Sequence, residues 1–203
     1  MNLHAPAAKR PATYQDVLDA PPNMVAEIVN GALSLQPRPA MRHGRAAFAL
    51  SGELSAPFQR GRGGPGGWWF AVEPELHLGP DVLVPDLAGW RRERMPQFPG
   101  DAVGVTLAPD WLCEVLSPST RTFDTTEKRD IYARAGVEWL WLVDPLSRVL
   151  EVFRLDRAGW RLVAALHDDA EVAQPPFEAA PFPLDALWPD APPQRETEPE
   201  AEP

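Results

Sequence analysis

Two periodicities of apolar residues run along this chain, and the points where one gives way to the other mark out its elements. Over residues 42–58, Ala47, Leu50, Leu54 and Phe58 recur at the spacing of one helix face. Ahead of it, Asn30-Gly31 lies between two apolar runs, the signature of a tight hairpin, and predicts strands over about 24–29 and 32–36. A short helix reaching Leu18 is predicted before that, with Thr13 as its cap. Residues 61–67 form a glycine-rich connector that lacks the strand–turn–helix setting of a phosphate loop.

Strand-like runs follow at 68–72, 75–78 and 81–87, and residues 91–109 read as an exposed excursion. Residues 111–116 are an apolar strand interrupted by one acid. Residues 124–135 read as a helix, with Asp124 at the cap and Glu127 three residues on. Strands at 139–143, 149–155 and 160–166 come next, the last two a hairpin, and 167–190 close the domain irregularly. With no internal repeat, this order predicts an α/β domain over 13–190 whose one central mixed β-sheet is flanked by helices. Residues 1–12 and the acidic, proline-containing 191–203 are expected to be disordered tails.

Composition narrows the function classes. The chain has 203 residues, 44% of them hydrophobic, which is enough for one substantial core. No apolar run approaches the ~20 residues of a membrane span, and no apolar stretch follows the basic residues of the N-terminus as in a signal peptide. The lone Cys113 excludes an internal disulfide and a cysteine-rich zinc site, so a cytoplasmic protein is expected. A net charge of −10 argues against strong non-specific nucleic-acid binding; Glu196, Glu198, Glu200 and Glu202 of the tail account for part of it, but the rest stays acidic.

The chemistry concentrates in three places. Glu114 shares a strand face with Leu112 and Leu116, where a carboxylate is costly unless it is paired or binds a metal. Asp86 ends the run Val82-Leu83-Val84-Pro85, next to a proline that disrupts a central ladder. Alone, Glu114 reads equally as half of an ion pair and Asp86 as a turn cap. Paired with Glu114 on an adjacent strand, Asp86 becomes half of an Mg²⁺ site, since that ion keeps much of its water and needs few carboxylates. Lys128 falls on one helix stripe with Ile131, Tyr132 and Ala135, the stripe that faces the sheet. A snorkelling side chain is the alternative there. Only Lys9 and Lys128 are lysines among the 19 basic residues, so an arginine-rich chain places its one interior lysine on this stripe.

Assembled, Asp86 and Glu114 would hold Mg²⁺ (or Mn²⁺ in its place), and Lys128 would orient a water or offset transition-state charge in phosphodiester hydrolysis. Glu27, between Ala26 and Ile28, is a further candidate: a second metal ligand, a proton acceptor or a partner of Lys128, or else a solvated strand residue. A two-carboxylate glycosidase leaves Lys128 without a role. A binding or regulatory module of the same fold without turnover remains the competing reading, and the acidic balance favours it.

Val84-Pro85-Asp86, Glu114-Val115-Leu116-Ser117-Pro118-Ser119-Thr120, Asp124 with Lys128, Tyr132-Ala133-Arg134-Ala135-Gly136-Val137 and Trp141-Leu142-Val143-Asp144-Pro145 together resemble the bacterial Uma-type restriction endonuclease family of the PD-(D/E)XK nuclease superfamily. The resemblance spans about residues 14–188 and is densest over 110–145. It implies a restriction-endonuclease-like core, Mg²⁺ dependence, DNA as substrate and a homodimer, with the acids at Asp86 and Glu114 and an early acid at Glu27. The superfamily pattern has Lys two residues after the second acid, where this chain has Leu116; the resemblance moves it to the next helix, at Lys128. Family members often carry an acid after the hairpin glycine, where this chain has Ala32. Arg42-His43 matches a recurrent Arg-His of the family and is a candidate phosphate contact, with a surface histidine at a helix start as the alternative.

Other residues read as scaffold. Cys113 faces away from Glu114, Trp68 and Trp69 read as sheet cover rather than base-stacking platforms, and Glu75 and His77 read as a solvated strand face. Arg91, Arg92 and Arg94, on a predicted loop near Asp86, are candidate backbone contacts.

Overall fold

The computed structural model describes residues 10–118 and 121–188. The tail expected over 191–203 and the first nine residues lie outside the described residues. In α1 (Tyr14–Leu18), the Asp16 carboxylate accepts hydrogen bonds from the Thr13 N–H and hydroxyl at 2.7 and 2.8 Å. The predicted hairpin is β1 (Met24–Val29) and β2 (Ala32–Pro37); Asn30 and Gly31 take the positive φ of 49° and 77° that its two-residue turn requires. Helix α2 (Met41–Leu54) runs on into a π-helical turn (Ser55–Gln59), and Ala47, Leu50, Leu54 and Phe58 are all buried.

Six strands follow: β3 (Trp68–Val72), β4 (Glu75–Leu78), β5 (Asp81–Leu83), β6 (Leu87–Arg91), β7 (Gly104–Val105) and β8 (Trp111–Val115). A helical segment comes next, made of α3 (Arg121–Phe123), a π-helical turn (Asp124–Lys128) and α4 (Arg129–Arg134). The chain then forms β9 (Trp139–Asp144), β10 (Val149–Asp156), β11 (Gly159–His167), β12 (Glu171–Val172), β13 (Phe182–Pro183) and a last 3₁₀ turn (Leu184–Leu187).

The single central sheet expected from the sequence is instead two large sheets. A five-stranded sheet has the order β2-β1-β5-β4-β7 and a six-stranded sheet the order β11-β10-β9-β8-β6-β3, with β12 and β13 a separate pair. The reason lies at 84–86. The run 81–87 reads as one strand, but Pro85 has no N–H to give a ladder, and the chain leaves the first sheet after Leu83 and joins the second at Leu87. Asp86 therefore stands at the seam between the sheets.

Strands β8 and β9 are parallel neighbours, Glu114 opposite Leu142, and the helical segment is the crossover that such a pairing needs. Alternation along β8 puts Trp111, Cys113 and Val115 in a core beneath α2 and residues 172–188. It puts Leu112 and Leu116 in a second core with Ile131, Tyr132 and residues of the smaller sheet. Glu114 points into that second side.

Two more expectations change. Residues 91–109 are only in part an exposed excursion: residues 92–94, 96–97 and 100–103 are exposed, but Met95 is buried, β7 pairs with β4, and the Trp90 indole donates to the Leu107 carbonyl at 2.9 Å. Glu75 and His77 are not a solvated face, because α1 lies over them; the Tyr14 hydroxyl donates to Glu75 at 2.7 Å and His77 meets the same oxygen at 2.6 Å. Among the described residues no helix is long and apolar enough to cross a membrane.

Candidate active site

Residues from five elements line one pocket with a cavity volume of about 190 Å³. Glu27 enters from β1, His43 from the first turn of α2, Asp86 from the seam, Glu114 from β8, and Asp124 and Lys128 from the π-helical turn. Each is positioned by its surroundings. The Val84 N–H donates to Glu27 at 2.8 Å, so the acid of one strand closes the backbone of its neighbour where the ladder ends. The Val115 N–H donates to one Asp86 oxygen at 2.7 Å, and His43 Nε2 lies 3.1 Å from the other. Asp86 is thereby fixed beside Glu114, one residue earlier on β8.

The Lys128 ammonium lies inside this group rather than at its edge. Its Nζ is 2.8 Å from Glu114, 3.1 Å from Glu27 and 3.6 Å from Asp124, and its side chain is only 4% exposed. The snorkelling alternative is excluded by that burial. The Tyr132 hydroxyl, one helical turn on, donates to the same Glu114 oxygen at 2.5 Å. Burial disfavours the charged lysine, but Glu114, Tyr132, Glu27 and Asp124 outweigh it and hold Lys128 well above its ordinary value. Burial pushes Glu114 well up; Lys128 opposes this, while Asp124 and Asp86 add to it. The pocket thus carries more carboxylate than its one ammonium balances, and another positive charge, a proton or a metal ion, would relieve it.

His43 completes the rim. Burial works against its protonated form, but hydrogen bonding to Asp86 and the negative field of Asp86, Asp124 and Glu73 win, and its value is raised. Its Nδ1 is buried without a hydrogen-bond partner among the described residues.

Asp124 and Tyr132 belong to this cluster although the sequence pattern assigned them other work. Asp124 is not a helix cap: the helical segment begins earlier, Phe123 already has helical angles, and the Asp124 side chain is buried against Lys128. Its four-residue spacing from Lys128 was the available signal. Tyr132 counted as an apolar stripe residue, and nothing in the periodicity showed that its hydroxyl would meet Glu114. The π-helical turn carrying both Asp124 and Lys128 is a local irregularity of the kind often found at functional sites.

Hard oxygen donors of this kind suit Mg²⁺, which is satisfied by one or two carboxylates, backbone oxygens and water. Among the described residues no three His, Cys, Asp or Glu side chains converge as a ready-made metal cage. Glu27, Glu114 and Asp124 turn instead toward Lys128. A cation on Asp86 and Glu114 would therefore keep most of its own water.

The chain matches the family described as "Uma2: Putative restriction endonuclease" over residues 11–184. It belongs to that family. A comparison with curated proteins finds no match. Among solved structures it is similar to one described as a putative nuclease belonging to DUF820 from Anabaena variabilis, with a TM-score of 0.70 and 22% identity, covering 88% of this chain and 98% of that one. At that identity the likeness shows a shared fold.

In this Uma2-family chain the remaining candidates separate from the pocket. Arg42 is exposed on α2 and does not line it. Arg91 ends β6 and Arg92 lies in the turn that follows, so both sit at the end of the strand opposite Asp86 rather than on a loop beside it. The Arg92 guanidinium stacks 3.9 Å from the Trp69 ring and donates to the Gln59 carbonyl at 2.8 Å; Arg91 lies over Trp68, and Arg94 pairs with Asp110 at 2.9 Å. These arginines are committed to the scaffold.

Proposed function

We propose that this protein is an Mg²⁺-dependent endonuclease that hydrolyses phosphodiester bonds in DNA at the pocket of Asp86, Glu114 and Lys128. The observation that carries the reading is the buried Lys128 ammonium, 2.8 Å from Glu114 and 3.1 Å from Glu27, in a pocket shared with Asp86. Buried carboxylates in excess of cations repel a phosphate on their own, so the pocket needs a divalent ion before it can take an anionic substrate. Asp86 and Glu114 are the ligands in this proposal. A bound Mg²⁺ would supply Lewis-acid polarisation of the phosphate and a more acidic water.

The chain's own groups do the rest. His43 and the Val115 N–H hold the Asp86 carboxylate in one orientation, and Tyr132 holds Glu114. Lys128 presents a compact positive charge toward the attacking water or the developing charge on the phosphate. Glu27, 3.1 Å from the ammonium, keeps Lys128 in place and is the nearest carboxylate outside the proposed ligand pair that could accept a proton from it. A cytoplasmic setting and a homodimer belong to the same proposal; sedimentation should give twice the chain mass.

Cleavage of plasmid DNA with Mg²⁺ or Mn²⁺ is the test. Asp86→Asn and Glu114→Gln should remove cleavage, and Lys128→Gln should lower it by at least ~100-fold. Full cleavage in any of these variants removes that residue from the mechanism. The net charge of −10 favours the second reading, a nuclease-fold binding module without turnover. Metal binding without any cleavage would support that reading.

A further inference from the structure

The excess of acid is unevenly spread. Between Glu27 and Glu53 the chain has no Asp or Glu, yet it carries Arg38, Arg42 and Arg45. All three are exposed, and among the described residues none makes an ion pair or side-chain hydrogen bond. Elsewhere, Arg91, Arg94, Arg121, Arg134 and Arg154 are paired with acids, so these three are the cations the fold leaves unspent beside the pocket.

Their placement is specific. Arg38, Pro39 and Ala40 line the pocket mouth, and α2 starts at the next residue. His43 turns inward to Asp86. Arg42 and Arg45, three residues apart, share the outer flank of the same helix, while Ala46, Ala47 and Leu50 are its buried side. One short segment therefore carries a site residue on its inner face and arginines on its outer flank, with no carboxylate of its own to cancel them.

We infer that Arg38, Arg42 and Arg45 form the track that grips the nucleic-acid phosphate backbone leading to the cleaved bond. This rests on the nuclease reading and extends it: an acidic protein can hold a polyanion if the substrate meets only this arginine flank and the metal-loaded pocket. The contacts are to phosphates, so they give affinity and register without sequence preference.

The test is fluorescence-anisotropy binding of labelled single- and double-stranded DNA oligonucleotides across a salt series. Ca²⁺ replaces Mg²⁺ to suppress cleavage. The parent protein is compared with R38Q/R42Q/R45Q and with R38K/R42K/R45K. Each lost phosphate contact should lower the salt slope by about 0.9 on duplex or about 0.7 on a single strand. The Gln variant should therefore lose about 2 to 3 units of slope and at least ~10-fold in affinity at low salt on the strand type that binds, while the Lys variant keeps the slope. Unchanged slope and affinity in the Gln variant, while the parent still cleaves DNA, would overturn the track alone. DNA binding through these arginines by a parent that never cleaves would overturn the nuclease reading and leave the track standing. No DNA binding by the parent overturns both. A Gln variant that changes oligomeric state in sedimentation, with its salt slope unmoved, assigns the flank to a second copy of the chain and also overturns the track.

Discussion

Lys128 is the residue on which the pocket is organised, because three carboxylates face one buried ammonium. Removing that charge leaves buried acids without a partner, the costly case for an interior ion pair. Lys128→Met should lose about 3–5 kcal/mol in urea unfolding, and Mn²⁺ should restore part of it if the ion can take over the lost charge. Unchanged stability would mean that the acids take up protons without cost. Tyr132→Phe removes only the hydroxyl that donates to Glu114 at 2.5 Å, so it should cost about 1.5–3 kcal/mol with the fold kept. Glu114, Asp86 and Lys128 could be picked out from sequence because each breaks an apolar pattern. Asp124 gave only its spacing from Lys128 and Tyr132 gave nothing, because each satisfies a local rule, a cap and a stripe, whose outcome depends on which strand arrives opposite.

At the scale of elements, most strands were legible from alternation, and the join between β5 and β6 was not. Apolar residues on both sides of Pro85 read as one strand, whereas pairing partners far along the chain decide that the halves belong to different sheets. Close packing constrains these strands further. A Cβ on Gly89 of β6 would meet the Phe70 ring at 2.9 Å and Trp111 at 3.2 Å, so Gly89→Ala should cost about 1–3 kcal/mol, read as a lowered Tm. At the end of β9, Asp144 accepts the Leu146 and Ser147 N–H groups at 2.9 and 3.1 Å and pairs with Arg121. Burial works against its charge, but Arg121 and these N–H groups outweigh it, and its value is lowered. Its stabilisation is present above the ordinary carboxylate value of about 4 and is lost as pH falls through the lowered one. Asp144→Asn should flatten the fall of Tm on the acid side; an unchanged acid limb would assign that fall to other groups.

For the molecule as a whole, the family match over residues 11–184 and the shared fold agree with the α/β reading of the sequence. Division into two sheets places the pocket where they part, and the acids, histidine and lysine reach it from elements as distant in sequence as β1 and the π-helical turn. Sequence spacing could not supply that geometry; the interrupted apolar runs and the family resemblance named its residues without showing how they meet. The central claim is that Asp86 and Glu114 together hold a divalent ion. It is tested most directly by titrating Mn²⁺ into the protein under electron paramagnetic resonance. The account predicts a bound Mn²⁺ that is lost in Asp86→Asn and in Glu114→Gln. Retention of the same bound signal in both variants would contradict it.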